Sequence, residues 1–155
     1  MQPEIMLGQK LRRGGKTLAV AESCTGGLVS NRITDVSGSS KYFLAGIVCY
    51  SNKAKQDILG VSESSIKKYG AVSKQVALEM AEGVKLLSGA DMGAGLTGIA
   101  GPTGGTKQKK VGLVYIAFVT NGKRIVKKFN FKGSRKRIKL QASEAALILV
   151  LKEVR

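Results

Sequence analysis

The chain has 155 residues, with 26 Lys plus Arg against 10 Asp plus Glu, a formal charge of +16, and no histidine. No Ser-His-Asp triad, Cys-His pair, HExxH zinc site or imidazole proton shuttle can be built from it, so any general base near neutral pH is a tuned Lys, a carboxylate, a Tyr or a Cys. The charge points to acidic or phosphorylated partners and says nothing about fold. Hydrophobic residues at 43% and charged residues at 23% are those of a globular protein. A chain this long buries roughly two-thirds of its unfolded surface, so residues 1–155 are expected to form one self-sufficient domain.

In chain order, Pro3 to Arg13 reads as a short helix ended by Gly14-Gly15. Thr17 to Ala21 reads as a buried strand, and Glu22-Ser-Cys-Thr-Gly-Gly27 as a turn. Apolar residues at 28, 29, 33 and 36 have helical spacing. Phe43 to Tyr50 (FLAGIVCY) is a second buried-strand candidate, followed by a helix over Asn52 to Leu59 closed by Gly60. A short helical stretch opens at Ser62. Ser73 is placed as the N-cap of a longer helix whose Val76, Met80, Ala81, Val84 and Leu87 share a face. Asp91 to Leu96 is a third strand, and Val111–Thr120 and Arg124–Phe131 form a hairpin across Asn121-Gly122. A terminal helix covers Ser134 to Val154. Strands separated by helices imply right-handed crossovers and parallel pairing, to which the hairpin adds antiparallel strands. The expected fold is a three-layer α/β/α domain on a mixed, mostly parallel sheet of about five strands.

Cys24 and Cys49 make neither a disulfide framework nor a zinc cluster, and they read as buried free thiols of a reducing compartment. The acids show no ligand-like cluster, so no metal is expected. No apolar run approaches the roughly 20 residues of a membrane span, and the N-terminus lacks the apolar stretch and cleavage site of a signal peptide. A cytoplasmic protein without membrane contact is expected.

In open α/β sheets ligands bind beyond the carboxyl ends of the parallel strands. Three hydroxyl- and glycine-rich segments fall there: Glu22 to Gly27, Tyr50-Ser-Asn-Lys53, and Thr97-Gly-Ile-Ala-Gly-Pro-Thr-Gly-Gly105. In the first, Ser23 precedes Thr25, Gly26 and Gly27, where free N–H groups hold a phosphate or stabilise an oxyanion if Ser23 attacks a carbonyl. Simple helix capping by Ser23 or Thr25 is the alternative. Lys53, just past the second strand with Tyr50 and Asn52, is a possible base: desolvation and neighbouring positive charge lower a lysine pKa, and a Ser-Lys pair is a workable nucleophile and base. Its alternative is a solvated surface lysine. In the third segment Thr97 offers a hydroxyl at a strand end, while Gly98, Gly101, Gly104 and Gly105 allow backbone to approach a ligand; the Walker A spacing is missing. Glu22, Cys24 and Lys53 are also the residue types of a Cys-Glu-Lys amidase. Neighbouring side chains alternate along a strand, so only one of Ser23 and Cys24 is expected to face the cleft.

AESCTGG (21–27), VSGSSKYFLAGIVCYSNKAKQDILGV (36–61), YGAVSKQVALEMAEG (69–83) and TGIAGPTGG (97–105) resemble the CinA C-terminal domain family, from about Lys10 to Arg155. The resemblance implies a nicotinamide-nucleotide amidase, or NMN deamidase, in a stand-alone form without the family's N-terminal molybdopterin-binding-like domain. Such an enzyme hydrolyses the carboxamide of nicotinamide mononucleotide to nicotinate mononucleotide and ammonia, with no cofactor. It implies Ser23 as nucleophile, Lys53 as the first and Lys55 as the second candidate for its partner, and Thr97 as the hydroxyl before GIAGP. It also places Tyr50 at the matching aromatic and Arg135 of Gly133-Ser-Arg135 at the substrate phosphate. A homo-oligomer is expected. The cluster Lys127-Lys128, Lys132, Arg135-Lys-Arg137 and Lys139 supports a rival expectation, a non-catalytic nucleic-acid-associated protein, although 5% aromatic residues and no Trp leave little for base stacking.

Overall fold

A computed structural model describes all residues, Met1–Arg155. The elements are α1 (Pro3–Gly14), β1 (Leu18–Glu22), α2 (Leu28–Thr34), a 3₁₀ turn (Ser39–Lys41), β2 (Phe43–Val48), α3 (Asn52–Leu59), α4 (Glu63–Tyr69), α5 (Lys74–Ser88), β3 (Met92–Gly98), β4 (Leu113–Val119), β5 (Arg124–Asn130) and α6 (Arg135–Glu153). The sheet order is β2-β1-β3-β4-β5. β1 pairs parallel with β2 and β3, and the β3/β4 and β4/β5 pairs are antiparallel. The mixed five-stranded sheet is the expected one.

The two faces of the sheet are built from different side chains. Leu18 and Val20 of β1 join Leu7 and Leu11 of α1, Val29 and Ile33 of α2 and Ile138 and Leu147 of α6 in the larger core. Ala19 and Ala21, one residue out of phase and so on the opposite face, pack with Leu59, Val76, Met80 and Val84. On that second face the strands are small. A Cβ at Gly95 would sit 2.5 Å from the Ala77 carbonyl oxygen, and one at Gly93 would overlap that of Ala81. Helix α5 therefore lies almost on the sheet backbone, with its own Ala77 and Ala81 completing the close approach.

Four helices start at a serine whose hydroxyl accepts the N–H three residues on: Ser51 from Ala54, Ser62 from Ser65, Ser73 from Val76 and Ser134 from Arg137. Each satisfies one of the unpaired donors of a helix start. The helices of the larger-core face are also tied by charge. Arg32 of α2 reaches Glu4 of α1 at 2.8 Å and both Glu144 (2.5 Å) and Ser143 (3.0 Å) of α6, so one guanidinium clamps three helices.

β2 departs from the expectation of a fully buried strand. Its residues alternate between half-buried and exposed, with Leu44 and Val48 open to solvent. It is an edge strand, and short α2 leaves that part of the face uncovered. The other edge, β5, presents Arg124, Lys127 and Lys128 to solvent, charge that discourages edge-to-edge pairing. No helix is long and apolar enough to cross a membrane.

Candidate functional site

Beyond the carboxyl ends of β1 and β3 lies a cavity of about 230 Å³ bordered by Ser23, Cys24, Tyr50, Lys55, Thr97 and Arg135, with the glycine-rich loop at 98–104 on one side. Its central contact joins two buried side chains: Lys55 Nζ lies 3.1 Å from Ser23 Oγ. The same nitrogen is 3.1 Å from the Cys49 carbonyl oxygen and 3.3 Å from that of Tyr50. An ammonium in this position donates its three protons to three oxygens. A neutral amine keeps two donations to the carbonyls and turns its lone pair toward the Ser23 hydroxyl. Lys55 is 2% exposed, and no carboxylate comes within ion-pairing distance. Burial lowers its pKa below the usual lysine value, only partly opposed by the charge that Cys49 and Cys24 would carry as thiolates.

Lys53, the first candidate for this role, is elsewhere. Its side chain is 83% exposed and pairs with Asp57 at 2.5 Å on the outer face of α3. The cause is helical geometry. Two residues turn a helix by about 200°, so Lys53 and Lys55 project from opposite sides. Lys55 and Leu59, four residues apart, share the buried side. Ser51, by capping α3, sets that phase.

Ser23 is positioned by the acid before it. The fully buried Glu22 carboxylate accepts hydrogen bonds from Thr25 Oγ1 (2.7 Å), Val29 N (2.9 Å), Ser30 N (3.0 Å) and Ser30 Oγ (2.6 Å). All four donors come from the turn and the first part of α2, so the carboxylate pins the turn onto the helix. Gly26 and Gly27 take φ of +61° and +101°, which L side chains avoid. This arrangement corrects several expectations. The Thr25 hydroxyl points inward to Glu22. Thr25, Gly26 and Gly27 border a second cavity behind the turn rather than the one holding Ser23. Glu22 is committed to α2 and is not part of a Cys-Glu-Lys set. Gly105 lies past the loop segment that borders the Ser23 cavity, whereas Gly98, Gly101 and Gly104 border it with Asn52.

Both Ser23 and Cys24 border the cavity, against the expectation that only one does. The alternation rule stops at Glu22, where β1 ends. Their chemistry separates them. Burial, with the nearby Glu22 charge adding, pushes the Cys24 thiol up to about 11, and Lys55 and Lys139 only partly offset it. Cys24 thus stays a protonated thiol packed in the core, and Lys55 faces the Ser23 hydroxyl. The N–H groups of Cys24 and Thr25, directly after Ser23, meet no carbonyl of the chain.

On the far wall, Thr97 Oγ1 donates to the Ala71 carbonyl at 2.8 Å. Its proton is committed, so the oxygen offers lone pairs. Across the mouth, Arg135 donates from Nη1 to the Gly101 carbonyl at 2.7 Å and from Nη2 to the Tyr50 hydroxyl at 2.8 Å. This guanidinium joins α6, the glycine loop and the end of β2. Ala71 and Val72, which close the floor, carried no signal in the sequence beyond lying between Gly70 and the Ser73 cap. A larger depression of about 610 Å³ at the opposite end of the sheet holds Lys16, Asp91, Lys123 and Glu153. Lys123 pairs there with Glu153, and Asp91 accepts from Thr17.

Fold and cavity together define the class: an α/β/α protein with a serine–lysine contact at the carboxyl ends of its parallel strands. Within it, the chain belongs to the CinA C-terminal domain family, whose model matches residues 2–154. It is similar to the crystal structure of the competence/damage inducible protein CihA from Agrobacterium tumefaciens, with 35% identity and a TM-score of 0.90 over 99% of this chain and 98% of that one. A CinA-superfamily protein from Escherichia coli gives 33% identity and a TM-score of 0.94, covering 97% of this chain and 87% of the other. Among curated relatives, the CinA-like protein of Kosmotoga olearia is 51% identical over 140 residues, 90% of this chain and 34% of that protein. The CinA-like protein of Syntrophobacter fumaroxidans is 50% identical over 147 residues, 95% of this chain and 35% of that protein. The chain spans about a third of the length of these two relatives.

Proposed function

We propose that the protein is a serine–lysine amidohydrolase that converts nicotinamide mononucleotide to nicotinate mononucleotide and ammonia. The observation that carries this reading is the buried contact of 3.1 Å between Ser23 Oγ and Lys55 Nζ, with no carboxylate to hold the lysine protonated. Family membership supports the same chemistry.

In this reading neutral Lys55 takes the Ser23 proton as Oγ bonds to the carboxamide carbon. The oxyanion meets the free N–H groups of Cys24 and Thr25. The Thr97 oxygen, its own proton held by Ala71, accepts from the substrate NH₂ and aims the leaving nitrogen toward Lys55. The Lys55 ammonium protonates that nitrogen as the C–N bond breaks, releasing ammonia and leaving an acyl ester on Ser23. Lys55, neutral again, takes a proton from water as the oxygen of that water attacks the ester. It then returns the proton to Ser23 Oγ as the acid departs. Arg135, with two strong donors at the mouth, faces the anionic end of the substrate. The test is ammonia release from nicotinamide mononucleotide by the purified chain. Turnover that requires Ser23 and Lys55 supports the reading. Turnover that survives their removal refutes the assignment.

A further inference from the structure

Between α4 and α5 the chain crosses the floor of the Ser23 cavity, where Ala71 and Val72 border the space shared by Ser23, Lys55 and Thr97. Three side-chain hydrogen bonds hold this crossing. Thr97 donates to the Ala71 carbonyl at 2.8 Å from the cavity side, and Ser73 donates to the Gly70 carbonyl at 2.9 Å from within the segment. The third comes from a different element: Lys109, in the loop between β3 and β4, donates from Nζ to the Tyr69 carbonyl at the end of α4. An ammonium is favoured there by the unpaired carbonyls of a helix end. The approach needs bare backbone, since a Cβ at Gly70 would stand 2.8 Å from that Nζ. The loop is shaped to send Lys109 this way. Thr106 N donates to the Lys109 carbonyl at 2.7 Å and Lys109 N to Thr106 Oγ1 at 3.0 Å, a tight turn that leaves Lys107 and Lys110 exposed and Lys109 half-buried. The same loop borders the cavity at Thr103 and Gly104, so one lysine joins the loop wall to the floor.

We infer that Lys109 is a positioning residue that sets the site's preference for an amide over an ester, by fixing the Ala71 carbonyl that orients Thr97. The inference rests on the amidase reading. With its proton held by Ala71, Thr97 Oγ1 only accepts. A carboxamide presents N–H to it. The leaving oxygen of an ester presents lone pairs, and two acceptors facing each other bind poorly. Release of the Lys109 bond lets the backbone of residues 69–72 shift. Thr97 then loses the acceptor for its proton, and its hydroxyl turns to donate into the cavity. The amide loses its acceptor, and the ester loses its repulsion.

The test compares nicotinamide mononucleotide with the methyl ester of nicotinate mononucleotide, which forms the same acyl ester on Ser23 and releases methanol instead of ammonia. Because kcat/KM reports the steps up to that shared intermediate, the ratio of the two values isolates the leaving group. Lys109→Met is expected to lower the amide-to-ester ratio about tenfold, the worth of one oriented hydrogen bond. Lys110→Met leaves the ratio unchanged, and Lys109→Arg, which keeps a donor for the Tyr69 carbonyl, restores it. In a Thr97→Val background no hydroxyl remains to orient, so Lys109→Met changes the ratio no further. Equal losses on both substrates, no change on either, or the full effect without the Thr97 hydroxyl would overturn the assignment. A second measurement needs no turnover: by hydrogen exchange, the amides of residues 70–73 exchange faster in Lys109→Met than in the wild type or Lys110→Met. Equal exchange in all three overturns the proposal. If the wild type turns over neither substrate, the amidase reading fails and the amide preference with it, and hydrogen exchange alone decides whether Lys109 holds the floor.

Discussion

Replacing Lys55 by methionine removes a buried amine and leaves a side chain of similar volume. Two effects separate by their pH dependence. The Cys49 and Tyr50 carbonyls lose a donor, which costs about 1–3 kcal/mol at any pH. The second effect comes from the lowered pKa of Lys55. Between its folded value and the ordinary lysine value, the unfolded chain holds a proton that the folded chain has released. Wild-type stability therefore carries a contribution that rises with pH, by up to about 1.4 kcal/mol per unit within that window. Below the window both states are protonated, and the wild type bears the full cost of a buried, unpaired charge. Lys55→Met is thus expected to be closest to the wild type in stability at the acidic side and to fall behind as pH rises. Denaturant unfolding of both proteins across neutral to alkaline pH measures this, with Lys53→Met as control; its exposed i,i+4 pair with Asp57 is worth about 0.5 kcal/mol at most. A wild-type-minus-Lys55→Met difference that stays flat up to the ordinary lysine value would refute the desolvation of Lys55.

If neutral Lys55 is the base, kcat/KM climbs with pH along a limb whose midpoint lies below the ordinary lysine value, and Lys53→Met keeps that limb unchanged; pH–rate profiles check both. Cys24→Ala keeps ammonia release within about tenfold of wild type, because a thiol pushed up to about 11 is not the attacking group; loss comparable to that of Ser23→Ala contradicts this. Glu4 is raised by burial but lowered on balance by its hydrogen bonds from Arg32. The clamp therefore stabilises fully above the ordinary carboxylate value and fades as pH falls through the folded one. Arg32→Ala, which leaves Glu4 buried and unpaired, should cost about 3 kcal/mol at neutral pH and much less in acid, measured by denaturant unfolding at both.

Most elements were legible because local signals agreed. Ser51, Ser62, Ser73 and Ser134 stand at helix starts, and Gly60 and Gly89 close α3 and α5. Asn121-Gly122 joins the hairpin strands. The misreading of β2 has a topological cause: FLAGIVCY is apolar enough for a central strand, and only the sheet order puts it at an edge. The site was legible to the level of its segments, and it was lost at the level of side-chain direction. Lys53 lies nearer in sequence to the end of β2 than Lys55, yet the angular step of α3 sends it outward. Thr25 reads as a ligand hydroxyl at a helix start until the buried Glu22 carboxylate is seen to claim it. Both facts turn on which side of its own segment the fold buries, which the spacing of residue types by itself does not give.

The most direct test of the central claim is ammonia release from nicotinamide mononucleotide by four proteins: wild type, Ser23→Ala, Lys55→Met and Lys53→Met. The buried Ser23–Lys55 contact predicts turnover by the wild type and Lys53→Met, and loss in Ser23→Ala and Lys55→Met with the fold retained. Turnover that persists in Lys55→Met, or that is lost in Lys53→Met, would contradict it.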